Sequence, residues 1–325
     1  MVRPKGLGPS LFGRKLATAS RGSGSPGRRL LGMTMDGRPI FEPKPCHSLL
    51  LSAAGGGKTT CGALPWLQSM LADPKRTIIV TDVKDGEIAA QCADMCAAHG
   101  RKVAIIDDFG LFGRLEDGSA HPLRIALNPY GGIIAAFEGQ RDAGQGELVF
   151  ATDNANHAII EEPPRDQRNA YWRDEPRTLA EYCQQSILAH GRLEAYPGAV
   201  WTLLSDPELF QAALNIDKES DDRALKALAH HVDEMQRHAE HFSQHRGAIL
   251  KALRIFSAGS PLHHAGSFAD KTHRDLLEQN YIVFLVGPQR HMDRLGPYFA
   301  LHLQSFMEAL LGTKGLTVDF ILDEF

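Results

Sequence analysis

The segment Ser52-Ala53-Ala54-Gly55-Gly56-Gly57-Lys58-Thr59 lies between a short apolar run and a helical pattern. Small residues in series reach unusual backbone dihedrals, so successive N–H groups can converge on the oxygens of a polyphosphate. The N-terminus of the following helix adds partial positive charge at the same place. In such a loop Lys58 reaches the β- and γ-phosphates, and Thr59 offers its hydroxyl to Mg2+, with Thr60 next in the chain. The pattern is a Walker A unit with one departure. Ser52 stands where the consensus has Gly six residues before the lysine. Residues Ser52 to Thr60 are therefore expected to hold ATP.

A second constellation stands at the other end of the chain. Phe320-Ile321-Leu322-Asp323-Glu324 reads as an apolar strand running into two carboxylates, a Walker B candidate expected beside the strand that feeds the loop. Asp323 would join Thr59 at Mg2+, and Glu324 would orient or deprotonate an attacking water, with Lys58 as its catalytic partner. Asp82 and the pair Asp107-Asp108 also end strand patterns, where capping explains them more simply than chemistry. In the helical middle, His238, His241 and His245 share one helical face. A metal site there is geometrically conceivable, but Glu, Gln and Arg neighbours point to a solvated surface. Five cysteines at irregular spacing describe neither a disulfide framework nor a zinc knuckle.

The elements that must position these groups follow from periodicity. His47–Leu51 is a short apolar run read as a buried strand, and residues 59–72 as a helix that Pro65 kinks or shortens. Residues 77–82 and 103–108 read as buried strands separated by an amphipathic helix over 86–99 that Gly100 closes. This alternation argues for parallel βαβ units. Residues 131–160 are weakly patterned. From Asn169 to about Phe256 the signals are helical, with Ser205 or Asp206 capping a helix that has Pro207 at its first position. Strand patterns resume at 281–287 and 318–325, flanking a helix over 295–311.

Charge is unevenly spread. Residues 1–45 hold nine Lys/Arg against two acids, while the rest holds 26 basic and 37 acidic residues. The first 45 residues are thus expected to be a basic disordered tail able to touch nucleic acid or anionic lipid. The remainder divides into a nucleotide-binding α/β domain over 46–168 and 271–325 and an all-α insertion over 169–270. No stretch of about 18 apolar residues is encoded, and the basic start lacks a signal-peptide core.

With these motifs in order, the chain resembles the type IV secretion coupling ATPases, the TraG-like conjugative coupling proteins. Asp82-Val83-Lys84-Asp85-Gly86-Glu87 stands where that family has an Asp-Pro-Lys-Gly-Glu-like sequence, with one residue inserted and the proline lost. Asp107-Asp108-Phe109-Gly110 is similar to its Asp-Pro-Phe, Leu127-Asn128-Pro129-Tyr130 to its Asn-Pro element, and Tyr171-Trp172 to the opening of its Trp-containing helix. The resemblance implies a RecA-like P-loop NTPase core with an inserted all-α domain, working with ATP and Mg2+ as a homo-hexamer. It further implies recruitment of DNA, a relaxase–DNA complex or protein effectors to secretion-channel components. The expected location is cytoplasmic, peripheral at the inner membrane through partners or the basic tail. Family members usually begin with transmembrane helices and continue past the Walker B strand, so the sequence reads as a fragment or a variant. A non-hydrolysing, nucleotide-gated adaptor and an FtsK-type DNA translocase are the alternative readings.

Overall fold

The computed structural model describes residues 27–51, 53, 56–113, 119–143, 147–160, 171–191 and 195–323. It divides into two compact units, one formed by the described residues of Met1–Ile105, Glu278–Val286 and Gly315–Phe325, the other by those of Ile106–Leu277 and Gly287–Lys314.

The first unit carries a hairpin of β1 (Leu30–Met33) and β2 (Pro39–Phe41), and a four-stranded sheet of β3 (Arg76–Asp82), β4 (Val103–Ile106), β5 (Ile282–Val286) and β6 (Thr317–Leu322). The sheet order is β4-β5-β3-β6, and β3 runs parallel to both β5 and β6. All residues of β3, β4 and β5 are buried, as expected of β-branched runs in a sheet covered on both faces. Two helices complete the unit, α1 (Leu64–Met70) and α2 (Glu87–Ala98). The buried Arg101 guanidinium donates to the carbonyls of Leu71, Asp73, Arg76 and Asn280, tying the end of α1 to the starts of β3 and β5.

Four expectations need correction here. Order begins before Cys46. The β1–β2 hairpin is held by Arg29, whose guanidinium pairs with Glu42 at 2.7 Å and lies over Trp66, while Ser69 Oγ accepts the Leu30 N–H. Composition alone hid this hairpin, because Trp66 and Ser69, which hold it to the rest of the unit, lie 37 and 39 residues downstream of Arg29 and Leu30. His47–Leu51 is not a strand, and Leu49 and Leu51 are 82% and 80% exposed. An apolar run becomes a buried strand only where a sheet edge accepts it, and none of the four strands pairs with this run. β6 accordingly lies beside β3 and not beside a strand feeding the loop. It is only partly buried. Finally, residues 59–63 form a π-turn before α1 begins, with Pro65 in the first turn of α1.

The second unit is helical: α3 (Gly131–Ala143), α4 (Leu148–Ile159), α5 (Tyr171–Gly191), α6 (Pro197–Ser205), α7 (Pro207–Asp217), α8 (Arg223–Gln236), α9 (Ala239–Ala252), α10 (His273–Glu278, its last residue counted with the first unit) and α11 (Gly296–Leu311). The unit begins at Ile106, well before the expected boundary at 169, because α3 and α4 pack on α11 and α5. The first of them, α3, is not legible as a helix because Gly131 and Gly132 lower helix propensity at its start. Their role is close approach: a Cβ on Gly131 would run into His273 and one on Gly132 into Glu308. Asp206 is the cap of α7, accepting the N–H groups of Glu208 and Leu209 at 3.0 Å. Asn128 is buried by the same logic, donating to the Ala195 carbonyl and accepting the Tyr130 N–H, both at 2.9 Å.

At the centre of this unit two buried imidazoles meet, His273 Nε2 and His302 Nδ1 at 3.2 Å, between Tyr298 and Phe306. Burial holds His302 down to about 3 and His273 well below its ordinary value. The unfolded chain therefore takes up protons below pH 6.5 that the folded chain refuses. Their contribution is fully present above pH 6.5 and is lost as pH falls, by up to about 1.4 kcal/mol per pH unit for each ring. Asp108, which burial pushes up to about 6, works in the opposite direction over part of this range. The measurement is thus a comparison. Urea unfolding at pH 7, 6 and 5 should fall off more steeply for the native chain than for the double variant His273→Leu/His302→Leu, and equal slopes would refute the neutral-pair assignment.

Candidate phosphate-binding site

The register of the sheet sets the site. Thr81 of β3 lies opposite Leu322 of β6, so both strands end at one sheet edge and Asp323 follows directly. There the Asp323 N–H donates to Thr81 Oγ1 at 3.1 Å. The Asp323 side chain, on a residue only 7% exposed, accepts the Thr59 hydroxyl on Oδ2 at 3.1 Å. The same oxygen lies 3.8 Å from Lys84 Nζ. Thr59 and Asp323 are 264 residues apart in sequence, and the fold brings them together as the motifs predict.

The loop has the backbone its residues permit. Gly57 sits at φ 80°, in the left-handed region that a side chain would strain. The Gly56 N–H donates to the Ala53 carbonyl at 3.0 Å, and the Gly57 carbonyl accepts from the Cys61 N–H at 2.7 Å and the Thr60 hydroxyl at 3.2 Å. Lys58 and Thr59 are half-buried and Thr60 is exposed. Ser52, Ala54, Gly55 and Glu324, all expected site residues, lie outside the described residues. The hydroxyl of Thr59 and the carboxylate of Asp323 are hard oxygen donors on facing elements, a set that suits Mg2+ with its remaining positions left to water and phosphate oxygen.

Asp82 stands behind this edge. It is buried and accepts the Ala89 N–H at 2.9 Å, holding the first turn of α2. Burial first, and then the negative charge of Asp323, push its carboxyl up to about 6, against backbone hydrogen bonds that pull it down. Asp107 caps its own strand end by accepting the N–H groups of Leu111 and Phe112 at 2.9 and 3.0 Å. Asp108 accepts the Tyr298 hydroxyl at 2.8 Å. Asp82 and Asp107 thus cap backbone N–H groups, whereas Asp108 instead holds a side chain of α11.

Two participants escaped the sequence reading. In the sequence Thr81 is one more β-branched strand residue, and Lys84 stands out only as part of the Asp82–Glu87 stretch. A signal existed in the spacing, since a hydroxyl and an ammonium three residues apart straddle the end of a strand that carries an acid. The histidine-rich face also needs correction. His245 is 1% exposed and packs against Tyr171 and Trp172 with ring centroids 5.1 and 5.2 Å away. It is not a solvated surface residue. No group of three or more His, Cys, Asp or Glu placed to hold a metal occurs among the described residues.

No family model and no curated protein matches the sequence. Solved structures that align with most of it include several of the coupling protein TrwB, described as a bacterial conjugative or a plasmid coupling protein. The unbound form, TrwBdeltaN70, aligns at 10% identity and TM-score 0.44 over 94% of this chain and 60% of that one. A complex with ADP and Mg2+ aligns at 10% identity and TM-score 0.43, and a complex with the non-hydrolysable GTP analogue GDPNP at 12% and 0.41, each over 92% of this chain and 66% of that one. This chain is similar to these structures and spans about three-fifths to two-thirds of their length. At such identity and score the likeness carries no argument about function. What defines the class here is an α/β fold with a parallel strand pairing, a glycine-rich loop at its edge, and a helical unit.

The hydrogen bond under Asp323 is directly testable. Thr81→Val keeps the shape of the strand but leaves the Asp323 N–H unpaired in a buried position, which costs about 1–3 kcal/mol. Urea unfolding should show that loss, and Thr81→Ser should recover most of it.

Proposed function

We propose that this chain binds ATP with Mg2+ at residues 52–60 and Asp323 and works as a P-loop ATPase of the conjugative-coupling type. The observation that carries the reading is the 3.1 Å bond between the Thr59 hydroxyl and Asp323, which joins the two motifs of opposite chain ends at one sheet edge. Backbone N–H groups of the loop and the Lys58 ammonium would bind the phosphates, and Thr59 and Asp323 would hold the cation. When bound, Mg2+ supplies charge neutralisation of the β- and γ-phosphate oxygens. Glu324 would accept a proton from the attacking water.

Titles of the aligned structures name a coupling protein with ADP, Mg2+ and a GTP analogue, which agrees with this chemistry without identifying the nucleotide here. The motif order from Asp82 to Tyr171-Trp172 extends the reading to cargo: DNA, a relaxase–DNA complex or a protein effector, delivered to a secretion channel by a homo-hexamer. The net-basic stretch of residues 1–45 supports contact with a polyanion. Among the described residues no helix is long and apolar enough to cross a membrane. The same reading assigns membrane contact to partners or to this basic stretch.

The test is nucleotide binding followed by turnover. A fluorescent ATP analogue should bind in the presence of Mg2+, and Lys58→Ala should weaken it by at least about tenfold, the scale of one lost charged contact. Asp323→Asn should bind nucleotide yet lose most of its Mg2+ dependence. Hydrolysis that stops in Glu324→Gln while binding persists establishes the ATPase. Tight binding without turnover, even with single-stranded DNA added, would instead favour the nucleotide-gated adaptor.

A further inference from the structure

Lys84 sits two residues past the end of β3, on a turn whose Asp85 and Gly86 both have positive φ, 57° and 75°. The Lys84 ammonium lies 3.8 Å from Asp323 Oδ2. The same oxygen accepts the Thr59 hydroxyl. One carboxylate oxygen thus has both a hydroxyl and an ammonium beside it, and a divalent cation bound to that oxygen would have to share it with the ammonium. Asp323 is buried, while Lys84 is about one quarter exposed at its side chain. A buried carboxylate without a counter-charge is costly, so an adjacent ammonium has a physical reason to be there. The neighbouring Asp82 adds negative potential and no compensating cation.

We infer that Lys84 is a resident counter-ion of Asp323 that competes with the divalent cation, so that the cation enters only together with the phosphates. The proposal rests on the phosphate-loop reading for the place of the cation, and on the Lys84–Asp323 geometry for the competition. Lys84 is a positioning residue in this account. Its ammonium neutralises Asp323 while the loop is empty, and leaves Oδ2 when cation and polyphosphate arrive together. Bound phosphate then offers the displaced ammonium a new acceptor, which makes joint entry more favourable than entry of the metal alone.

The experiment uses the full chain and Mn2+ as an Mg2+ substitute, with free Mn2+ followed by electron paramagnetic resonance in the absence of nucleotide. Native protein should bind Mn2+ weakly. Lys84→Gln should bind it about tenfold more tightly, the scale of one removed charge at a partly screened pair. Lys84→Arg, which keeps the charge, should stay within about twofold of native, and Asp323→Asn in the Lys84→Gln background should erase the gain. Mn2+ affinity unchanged in Lys84→Gln, or a gain that survives Asp323→Asn, overturns the inference. Should Lys84→Gln fail to fold, acetylation of the native chain answers the same question. Excess Mn2+ should raise the modification rate of Lys84 several-fold relative to exposed Lys251, and no change overturns the inference. The fluorescent ATP analogue keeps the two readings apart: failure of native protein to bind it sinks the phosphate loop, whatever Lys84 does to Mn2+.

Discussion

Everything at the candidate site depends on one constraint: the Thr59 hydroxyl and the Asp323 carboxylate must meet although almost the whole chain separates them. Local structure cannot achieve this. The parallel pairing of β3 with β6 does, because it fixes six consecutive residue pairs in register and so delivers Asp323 one step past Leu322. A slip of one residue would turn the side chains of β6 to the opposite face and carry Asp323 away from the loop. The ion pair of Arg76 with Asp319 at 2.6 Å pins the other end of the same strand pair. The sheet is therefore clamped at both ends, by a salt bridge where the strands begin and by the Thr81–Asp323 hydrogen bond where they end.

Charge at that edge is balanced in a definite order. Two carboxylates, Asp82 and Asp323, end adjacent strands, and both are buried. They are not equivalent. Asp82 spends its acceptor capacity on the start of α2 and is shifted toward its protonated form, whereas Asp323 has a hydroxyl and an ammonium beside it. The environment thus separates a structural carboxylate from one that can hold a cation, which type and position alone would not do.

This separation marks how far the sequence could be read. The glycine-rich loop and the acid after an apolar strand are spacing signals that survive translation into three dimensions, because each depends on neighbours in the chain. β3, β4, β5 and α2 were legible for the same reason. His47–Leu51 was not, because burial of a strand depends on a partner edge that periodicity does not encode. Nor was α3 legible, since Gly131 and Gly132 look like helix breakers until His273 and Glu308 are seen to need the space. His245 looked solvated by its neighbours in sequence and is covered by Tyr171 and Trp172 from another helix. In each miss, a contact across tens of residues or more outweighed local propensity.

Pro65 shows how the loop tolerates a helix breaker. A proline in an α-helix clashes with the carbonyl four residues back, here that of Cys61. Residues 59–63 instead widen into a π-turn, and the Leu64 N–H reaches the Thr59 carbonyl, five residues back. The clash is relieved, and Pro65 enters α1 in its first turn, where its missing N–H matters least. The first N–H groups of any helix lack acceptors within that helix, whether its next turn is α or π. The widening spans residues 59–63, so Thr59 sits at the start of the π-turn, two residues past the left-handed Gly57, while its hydroxyl still reaches Asp323.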